Sequence, residues 1–495
     1  MNAANDTDLG TRIRDFARAR VLIVGDVMLD RFIVGSVNRI SPEAPVPILK
    51  VEHAYSMLGG AGNVMRNAAA LGAIASFVGV VGNDSEGEEV RALMAEVAGQ
   101  ARNHLLVEAG RPTTRKTRYL ANNHQLLRVD NEVAAPLTAE TAGDLIRAVE
   151  QGLNSIDVLM LSDYAKGVLS AATVAKVIQV ALRANCKVIV DPKTRDFGVY
   201  RGANLITPNR DELAAATGLS AKGDAEIEQA CKQVIAACDI EAVLATRSEE
   251  GMTLVTREGR VHHLAVKARE VFDVSGAGDT VAAVLSAALA VGVDLVEAAH
   301  LANLAAGMVV GKTGTAIVRP DELIRAVHEE HRMEAESKIV SLETVLEQIG
   351  AWRRAGLRIG FTNGCFDLLH PGHLSLLRQA RAACDRLVIG LNSDTSVQRL
   401  KGDGRPVYPE SARAAVLASL ADVDRVVIFV ENTPLKLIDA IRPEVLVKGA
   451  DYSRHTVVGG DMVERYGGRV LLADLIPGYS TTATIKRLNA GGNAL

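Results

Sequence analysis

Two short stretches of the chain combine residue types that could handle phosphate groups. In the first, Asp273-Val-Ser-Gly-Ala-Gly-Asp-Thr280, a strand predicted from Val261 to Val274 leads in and a small-residue helix predicted from Val281 to Val291 leads out. The free N–H groups and positive dipole end of that helix would face an anion. Beside it, the carboxylate of Asp279 could accept the proton of an attacking hydroxyl. The stretch therefore predicts phosphoryl transfer from a nucleotide to an alcohol, with an N-capping aspartate on a glycine turn as the simpler alternative.

The second stretch is His370-Pro-Gly-His373, which follows a strand predicted to begin at Leu357. Pro371 suits the first turn of a helix, so the two histidines would share one face at a helix N-terminus. Two imidazoles beside free backbone N–H groups could bind a polyphosphate and stabilise charge at its α-phosphate during in-line displacement. A zinc site and a purely structural pair are the alternatives, although no nearby cysteine or glutamate completes a zinc site.

Further candidates for sugar binding lie near the ends of the first predicted strands. Asp26 ends a buried strand, and ligands of α/β folds bind at such carboxyl ends. Asp30 could hold a sugar hydroxyl or lie at the surface. In Gly59-Gly60-Ala-Gly-Asn63 the glycines would permit close approach of a ligand, and Asn63 could hydrogen-bond it.

Charged residues of the same part of the chain could hold phosphate groups and their metal. A predicted strand carries Arg115, Lys116 and Arg118, which could clamp a sugar phosphate or line a solvated face. Lys166 follows another predicted strand. Asn209-x-x-Glu212 opens a helix, and Mg²⁺ near phosphates often keeps its waters and is gripped through few carboxylates.

The alternation of strands and helices predicts an α/β protein with parallel sheets and right-handed crossovers. The proline-containing segment from Phe32 to Val51 predicts a small β-flap. The 495 residues suffice for two domains with full cores. We place a first domain at residues 1–333, a helical connector at 334–356 and a smaller second domain at 357–495.

Composition and charge exclude several classes of protein. A formal net charge of −4 without a basic run argues against nucleic-acid binding. The polar N-terminus has no signal segment, and the longest uncharged apolar run, near Val281 to Val293, is too short to span a membrane. Five cysteines without a C-x-x-C pair predict reduced thiols and a cytoplasmic location.

The order of the motifs at Gly59–Asn63, Asn209–Glu212 and Asp273–Asp279, with an early flap, resembles the ribokinase/PfkB sugar-kinase family over about residues 15 to 330. The resemblance implies that Asp279 is the catalytic base and that the preceding turn forms the anion hole. It implies ATP binding by Asn209, Arg210, Asp211, Glu212, Gly276, Ala277 and Gly278, and sugar binding by Asp26, Gly59, Gly60, Asn63, Arg115 and Lys166.

The same resemblance also implies which residues bind metal ions, and the sequence departs from the family pattern in one loop. It implies that Asn209 and Glu212 organise Mg²⁺ through water, and that Asp273 and Ser275 hold a monovalent cation such as K⁺. Many members have T-x-G-x-x-G after the fourth strand. This chain has Ser248 in place of the first of those glycines, which leaves the nucleotide contacts of that loop open.

From about residue 357 to the end, the chain resembles the cytidylyltransferase-like nucleotidyltransferases through Asn363-Gly-x-Phe-Asp, His370-x-Gly-His373, Asn392-Ser-Asp394, Lys401-Gly and Ser480-Thr-Thr482. The resemblance implies that His370, His373 and Lys401 are catalytic. It implies nucleotide binding by Asn363, Gly364, Phe366, Asp367, Asp394, Lys448, Ser480, Thr481 and Thr482. Lys486 stands where some relatives have arginine.

A sugar kinase followed by a nucleotidyltransferase resembles the bifunctional heptose kinase/adenylyltransferase family of ADP-heptose synthesis. It implies a ribokinase-like parallel sheet with helices on both faces and a β-flap, then a smaller Rossmann-like domain. The implied reactions are ATP-dependent phosphorylation of D-glycero-β-D-manno-heptose 7-phosphate at O1, and transfer of AMP from ATP to heptose 1-phosphate. Both serve lipopolysaccharide inner-core synthesis. The implied partners are ATP, heptose phosphates, a second copy bound through the kinase domain and a separate heptose bisphosphate phosphatase.

Two other functions remain open at this point. The chain could be a sugar kinase of different specificity fused to a CTP-using transferase, because the phosphate motifs do not report the base. Alternatively, one domain could be only a nucleotide-binding regulatory module. The presence of Asp279, His370 and His373 argues against such a module, because charged groups left unpaired cost stability.

Overall fold

The computed structural model describes residues 3–98, 103–121, 124–266, 274–312, 316–450 and 453–474. The chain divides into two compact units: Asp8–Val327, and His328–Leu495 together with Met1–Thr7. No helix of the described residues is both long and apolar enough to cross a lipid bilayer.

The first unit alternates strands and helices. Its strands are β1 (Arg20–Gly25), β2 (Val27–Ile40), β3 (Pro47–Gly60), β4 (Ile74–Gly82), β5 (Asn103–Glu108), β6 (Arg115–Ala121), β7 (His124–Asn131), β8 (Val158–Ser162), β9 (Lys187–Asp191), β10 (Leu205–Ile206), β11 (Ala242–Thr246), β12 (Met252–Thr256) and β13 (Val261–Leu264). Helix α1 (Ala3–Asp15) runs across the division at Asp8, and the other helices are α2 (Ala61–Ala70), α3 (Ser85–Ala98), α4 (Ala139–Gly152), α5 (Ala171–Arg183), α6 (Arg210–Thr217), α7 (Asp224–Cys238), α8 (Ala277–Ala290) and α9 (Leu295–Val309).

Nine strands form one sheet in the order β13-β12-β11-β10-β9-β8-β1-β4-β5. All neighbouring strands are parallel except the two pairs that include β12. Alternate side chains of β1 enter opposite cores: Val21 and Ile23 pack with α2, α8 and α9, whereas Leu22 and Val24 pack with α4, α5 and α7. Helices on both faces explain why the central strands are continuous apolar runs.

A separate four-stranded sheet has the order β3-β2-β6-β7, and we call it the flap sheet. Strand β2 pairs antiparallel with β3 and parallel with β6, and β6 pairs antiparallel with β7. The flap is thus larger than the segment from Phe32 to Val51 suggests. It also contains the strand that carries Arg115, Lys116 and Arg118.

The second unit is a parallel sheet in the order β16-β15-β14-β17-β18, with helices on both faces. The strands are β14 (Ile359–Gly364), β15 (Arg386–Asn392), β16 (Arg425–Phe429), β17 (Val445–Gly449) and β18 (Arg469–Ala473). Helix α10 (Pro320–Ser337) runs across the division after Val327, and the helices that follow are α11 (Leu342–Arg354), α12 (Pro371–Ala382), α13 (Asp394–Lys401), α14 (Glu410–Ala418), α15 (Leu435–Ile441) and α16 (Gly460–Arg465). The order reverses between β14 and β17, and ligands of open α/β sheets bind at such a point.

The elements around Asp279 differ from the prediction. The helix predicted to begin at Val281 begins at Ala277, because Gly276 adopts φ +80° and caps it, so that the glycine turn itself starts the helix. The strand predicted from Val261 ends at Leu264. Residues 267–273 lie outside the described part of the chain.

The turn between β11 and β12 shows how the chain accommodates Ser248. Its φ is +53°, the left-handed conformation that favours glycine. Arg247 N donates to Gly251 O at 2.7 Å and closes the turn. The loop therefore keeps the backbone conformation of a glycine although serine occupies the position.

Replacing Ser248 with glycine should raise the free energy of unfolding by a few tenths to about 1 kcal/mol. Glycine avoids the Cβ clash of the left-handed conformation, and its greater freedom in the unfolded chain offsets part of the gain. Differential scanning calorimetry of the full chain measures the change. Glu249→Gly, in the same exposed turn but without positive φ, is the control and should destabilise. Equal effects of the two changes would contradict this explanation.

Candidate active sites

The first site is built around the N-terminus of α8. Asp279 is the third residue of this helix and is buried. A Cβ added to Gly278 would meet no atom within 4 Å, so the backbone there faces open space. The first turn thus presents N–H groups and a positive dipole end to an open region, next to a carboxylate.

Two other elements hold the carboxylate of Asp279. Asn63 Nδ2, from α2, donates to Oδ2 at 2.6 Å. The Tyr164 hydroxyl, from the loop after β8, donates to Oδ1 at 2.6 Å. Each oxygen keeps a second lone pair, so the oriented carboxylate can still accept a proton.

Burial raises the pKa of Asp279 to about 6. The hydrogen bonds from Tyr164 and Asn63 lower that pKa, Asp30 raises it and Arg66 lowers it. The carboxylate is therefore mostly ionised at pH 7, while its pKa is close enough to neutrality for efficient proton transfer. Burial also raises the pKa of Tyr164 well above its ordinary value, so this hydroxyl stays protonated and donates.

Asp26 fixes the loop that carries Tyr164. Its buried carboxylate accepts hydrogen bonds from the backbone N–H groups of Tyr164, Lys166 and Val168 at 2.9, 3.1 and 3.1 Å. These contacts hold the loop after β8, and the contact of Asp26 with a sugar stays a prediction. Asp26 thus affects the site by positioning Tyr164, which bonds Asp279.

The predicted glycines of the sugar site also serve the protein itself. A Cβ on Gly59 would lie 2.3 Å from Asp30 Oδ2, and one on Gly60 would lie 2.5 Å from Asp26 O. Asp30, on β2, accepts a hydrogen bond from Arg118 Nη1 at 2.6 Å. The small residues thus let two aspartates approach the start of α2, where Asn63 lies.

The predicted metal residues cap α6. Asn209 Oδ1 accepts from Glu212 N at 2.9 Å, and Glu212 Oε2 accepts from Asn209 N at 3.0 Å. The other Glu212 oxygen accepts from Lys193 Nζ at 2.6 Å. Arg210 bonds Arg247 O at 2.5 Å, and Asp211 lies in the same first turn.

The electrostatics next to Glu212 fit a divalent cation. Burial, together with Asp279 and Glu212, raises the pKa of Asp191 to about 8. A cation would relieve this crowding of carboxylates. No group of three or more metal-ligating side chains occurs among the described residues, which fits an ion held largely by water and phosphates. Ser275 lies just before α8 and is exposed, and Asp273 lies outside the described residues.

The second site lies at the N-terminus of α12. His370 caps the helix, Pro371 is its first residue, and the rings of His370 and His373 stack with centroids 3.8 Å apart. The ring of Phe366 leans on His373 at 5.3 Å. Burial lowers the pKa of His373 to about 4, with His370 as a further cause, so this imidazole is neutral at pH 7. Burial also lowers the pKa of His370.

Other predicted residues of the second site hold its loops. Asp367 is bonded to Arg405 and accepts from Val407 N at 2.6 Å. Asp394 is paired with buried Arg413 at 2.7 Å.

The two predicted lysines of the second site differ in their surroundings. Lys448 Nζ donates to Asn363 O, at the end of β14, at 2.9 Å. Lys401 is exposed at the end of α13. Ser480, Thr481 and Thr482 lie outside the described residues.

The sequence analysis assigns no role to several residues that lie in the candidate sites. Tyr164, Arg66 and Lys193 lie in the first site, and Arg413 lies in the second. Tyr164 and Lys193 each follow the end of a predicted strand, where ligand groups gather, and this position is the one available signal. Of the predicted sugar-binding side chains, Arg115 bonds Glu86 and Lys166 bonds Glu132.

Comparison with known proteins identifies the family to which each part of the chain belongs. Residues 18–322 match the model of the pfkB family carbohydrate kinases, and residues 361–487 match the cytidylyltransferase-like model. The bifunctional protein HldE of Rhodospirillum rubrum is 57% identical over 97% of this chain and 96% of its own. The chain belongs to the family of bifunctional HldE proteins. HldE of Paramagnetospirillum magneticum is 54% identical over 97% of this chain and 98% of its own.

The fold comparison agrees for the first unit. A crystal structure of phosphofructokinase-2 from Escherichia coli in complex with potassium covers 63% of the chain and 99% of its own length, with a TM-score of 0.53 and 19% identity. At this identity the likeness concerns the fold alone. The predicted fold class is confirmed, as is the assignment to a bifunctional kinase and nucleotidyltransferase family.

Tyr164→Phe should move the acid limb of the kinase pH profile to higher pH, by about one unit. The lost hydrogen bond stabilises the ionised carboxylate of Asp279, so its removal raises the pKa of the base. Turnover should fall at pH 7 and recover above pH 8. The profile of kcat/KM against pH measures this and does not depend on the amount of folded enzyme.

Tyr200→Phe is the matched control. Tyr200 makes the same kind of bond, to Asp163 at 2.5 Å, but does not contact Asp279. Its acid limb should coincide with that of the unaltered protein. A Tyr164→Phe profile that also coincides would overturn the tuning role.

Proposed function

We propose that the first unit phosphorylates D-glycero-β-D-manno-heptose 7-phosphate at O1 with ATP. The second unit transfers AMP from ATP to heptose 1-phosphate and releases pyrophosphate, for lipopolysaccharide inner-core synthesis. The observation that carries the kinase assignment is a buried carboxylate of pKa about 6 at the N-terminus of α8. The heptose assignment rests on the order of the two sets of motifs and on full-length identity with HldE proteins.

In the kinase reaction, Asp279 accepts the proton of the attacking O1 hydroxyl. Asn63 and Tyr164 hold the carboxylate while the charge of the transferred phosphoryl group faces the first turn of α8. Asn209 and Glu212 would hold Mg²⁺ through water, and Lys193 accompanies Glu212. The ion would neutralise charge on the phosphates of ATP.

In the transferase reaction, an oxygen of heptose 1-phosphate attacks the α-phosphate of ATP. His370 and His373, largely neutral before ATP arrives, can donate N–H groups to that phosphate without the cost of burying two cations. Lys401, at the end of α13, supplies positive charge as pyrophosphate leaves.

Further parts of the proposal rest on the family resemblance. Asp273 and Ser275 would hold a monovalent cation such as K⁺. The protein would act in the cytoplasm, with residues 1–333 and 357–495 as the two catalytic domains and 334–356 as their connector. Because the kinase product carries two phosphates, a separate phosphatase must remove the one at C7 before adenylyl transfer.

The exposed apolar side chains of the flap sheet support a homodimer through the kinase domain. Such side chains are Ile40, Val51, Tyr55, Leu126, Leu127 and Val129. Leu127 is 56% exposed on β7, whose residues are all exposed in the single chain. A second copy of the flap would remove this apolar surface from water.

Leu127→Asp should convert the dimer into monomers, because it places a charge in the proposed apolar interface. Sedimentation equilibrium measures the mass. Leu182→Asp, on α5 and 50% exposed, is the control and should leave the dimer intact. A monomeric parent protein, or equal effects of both changes, would contradict the proposal.

The two reactions should separate by mutation. Asp279→Asn should reduce phosphorylation of heptose 7-phosphate by at least about a hundredfold, because the general base is lost, and should spare adenylyl transfer. His373→Ala should do the reverse. Release of ADP and of pyrophosphate measures the two reactions. Kinase turnover retained in Asp279→Asn would refute the base, and an intact protein inert toward both heptose phosphates would refute the substrates.

A further inference from the structure

Most basic side chains near the flap sheet have a structural partner of their own. Arg111 bonds Glu108 and also the backbone carbonyls of Ala135 and Lys166. Arg115 bonds Glu86, and Arg118 bonds Asp30. These three arginines are therefore committed within the protein.

Lys116 and Lys166 form a different arrangement, because two separate elements bring their ammonium groups to one carboxylate. Lys166 Nζ, from the loop after β8, lies 2.7 Å from Glu132 Oε1, and Lys116 Nζ, from β6, lies 3.6 Å from Glu132 Oε2. The two lysine side chains are only 19% and 17% exposed. Two partly desolvated cations that share one acid leave room for an anion with more oxygens.

The second acid near this pair, Asp130, is shared between Lys116 and an arginine. Asp130 Oδ2 lies 3.4 Å from Lys116, and its other oxygen pairs with Arg128 at 3.0 Å. Glu132, by contrast, lies just beyond the end of β7, in a segment without helix or strand. It has ion pairs only with the two lysines among the described residues. Of the two acids, Glu132 can therefore move away from the lysines at the lower cost in free energy.

The pair belongs to the acceptor side of the kinase site. Lys166 is two residues from Tyr164, which bonds the base Asp279, and Asp26 holds the backbone of both. Lys116 pairs in register with Asp30, whose charge acts on Asp279. The capping residues of α6 and the lysine that pairs with them lie on other elements.

We propose that Lys116 and Lys166 bind the phosphate monoester of the sugar substrate, and that Glu132 occupies this subsite until the phosphate displaces it. One anion replaces another, so the lysines are never left buried without counter-charge. A sugar without the phosphate cannot make the exchange. The inference rests on the proposed function and names the group that recognises the 7-phosphate.

The test compares heptose 7-phosphate with the same heptose lacking the phosphate as kinase substrates. Lys116→Met and Lys166→Met should each lower kcat/KM for the phosphorylated sugar by roughly ten- to a hundredfold, as expected for loss of a charged hydrogen bond. They should change kcat/KM for the unphosphorylated sugar little. Turnover of the latter also reports that the variants fold.

Glu132→Gln provides a second measurement that misfolding cannot imitate. Loss of the competing charge should lower KM for heptose 7-phosphate several-fold and leave that for unphosphorylated heptose unchanged. Lys50→Met, an exposed lysine on β3, is the matched control and should behave as the unaltered protein.

The outcomes distinguish the two proposals. If the unaltered protein does not prefer the phosphorylated sugar, the proposed function fails. If it does, and the lysine variants keep that preference or lose both substrates equally, the subsite assignment fails. A KM that rises in Glu132→Gln would also refute the subsite.

Discussion

The kinase site depends on keeping one carboxylate ionised where water is largely excluded. Burial alone would protonate Asp279 near neutrality, and the bonds from Asn63 and Tyr164 oppose this. The donors come from α2 and from the loop after β8, so three elements must assemble before the base exists. Strand β8 lies beside β1 in the sheet. Asp26, the residue after β1, accepts hydrogen bonds from the backbone of the loop after β8. The acid–base chemistry of Asp279 therefore requires the assembled fold.

The two units handle the charge of a nucleotide in opposite ways. The first surrounds an anionic base with carboxylates and cations, so its substrates enter a site that already contains charged groups. The second holds two stacked, half-buried imidazoles that are largely uncharged at pH 7. There, positive charge on the histidines can develop in response to the polyphosphate itself.

The sequence predicts what local residue order determines. The glycine turn before Asp279, the histidine pair at a helix start and the alternation of strands with helices are all short-range patterns. Contacts between distant residues escape it: Tyr164 meets Asp279 across 115 positions, and Lys166 meets Glu132 across 34. The oxygens of Asp26 likewise accept hydrogen bonds from backbone N–H groups that no residue pattern records. The left-handed Ser248 shows the converse, a backbone shape kept without the residue that usually signals it.

Asp26 also limits how the chain can evolve. Among the described residues, the three hydrogen-bond partners of its carboxylate are N–H donors, so the position needs a group that offers acceptors. Asparagine has nearly the same size and shape, but its amide would turn a donor toward one of those donors. Even asparagine, the most similar uncharged side chain, should therefore not be tolerated at this position, although the described contacts of Asp26 are with backbone. The loop that Asp26 holds is thus enough by itself to make this position intolerant of substitution.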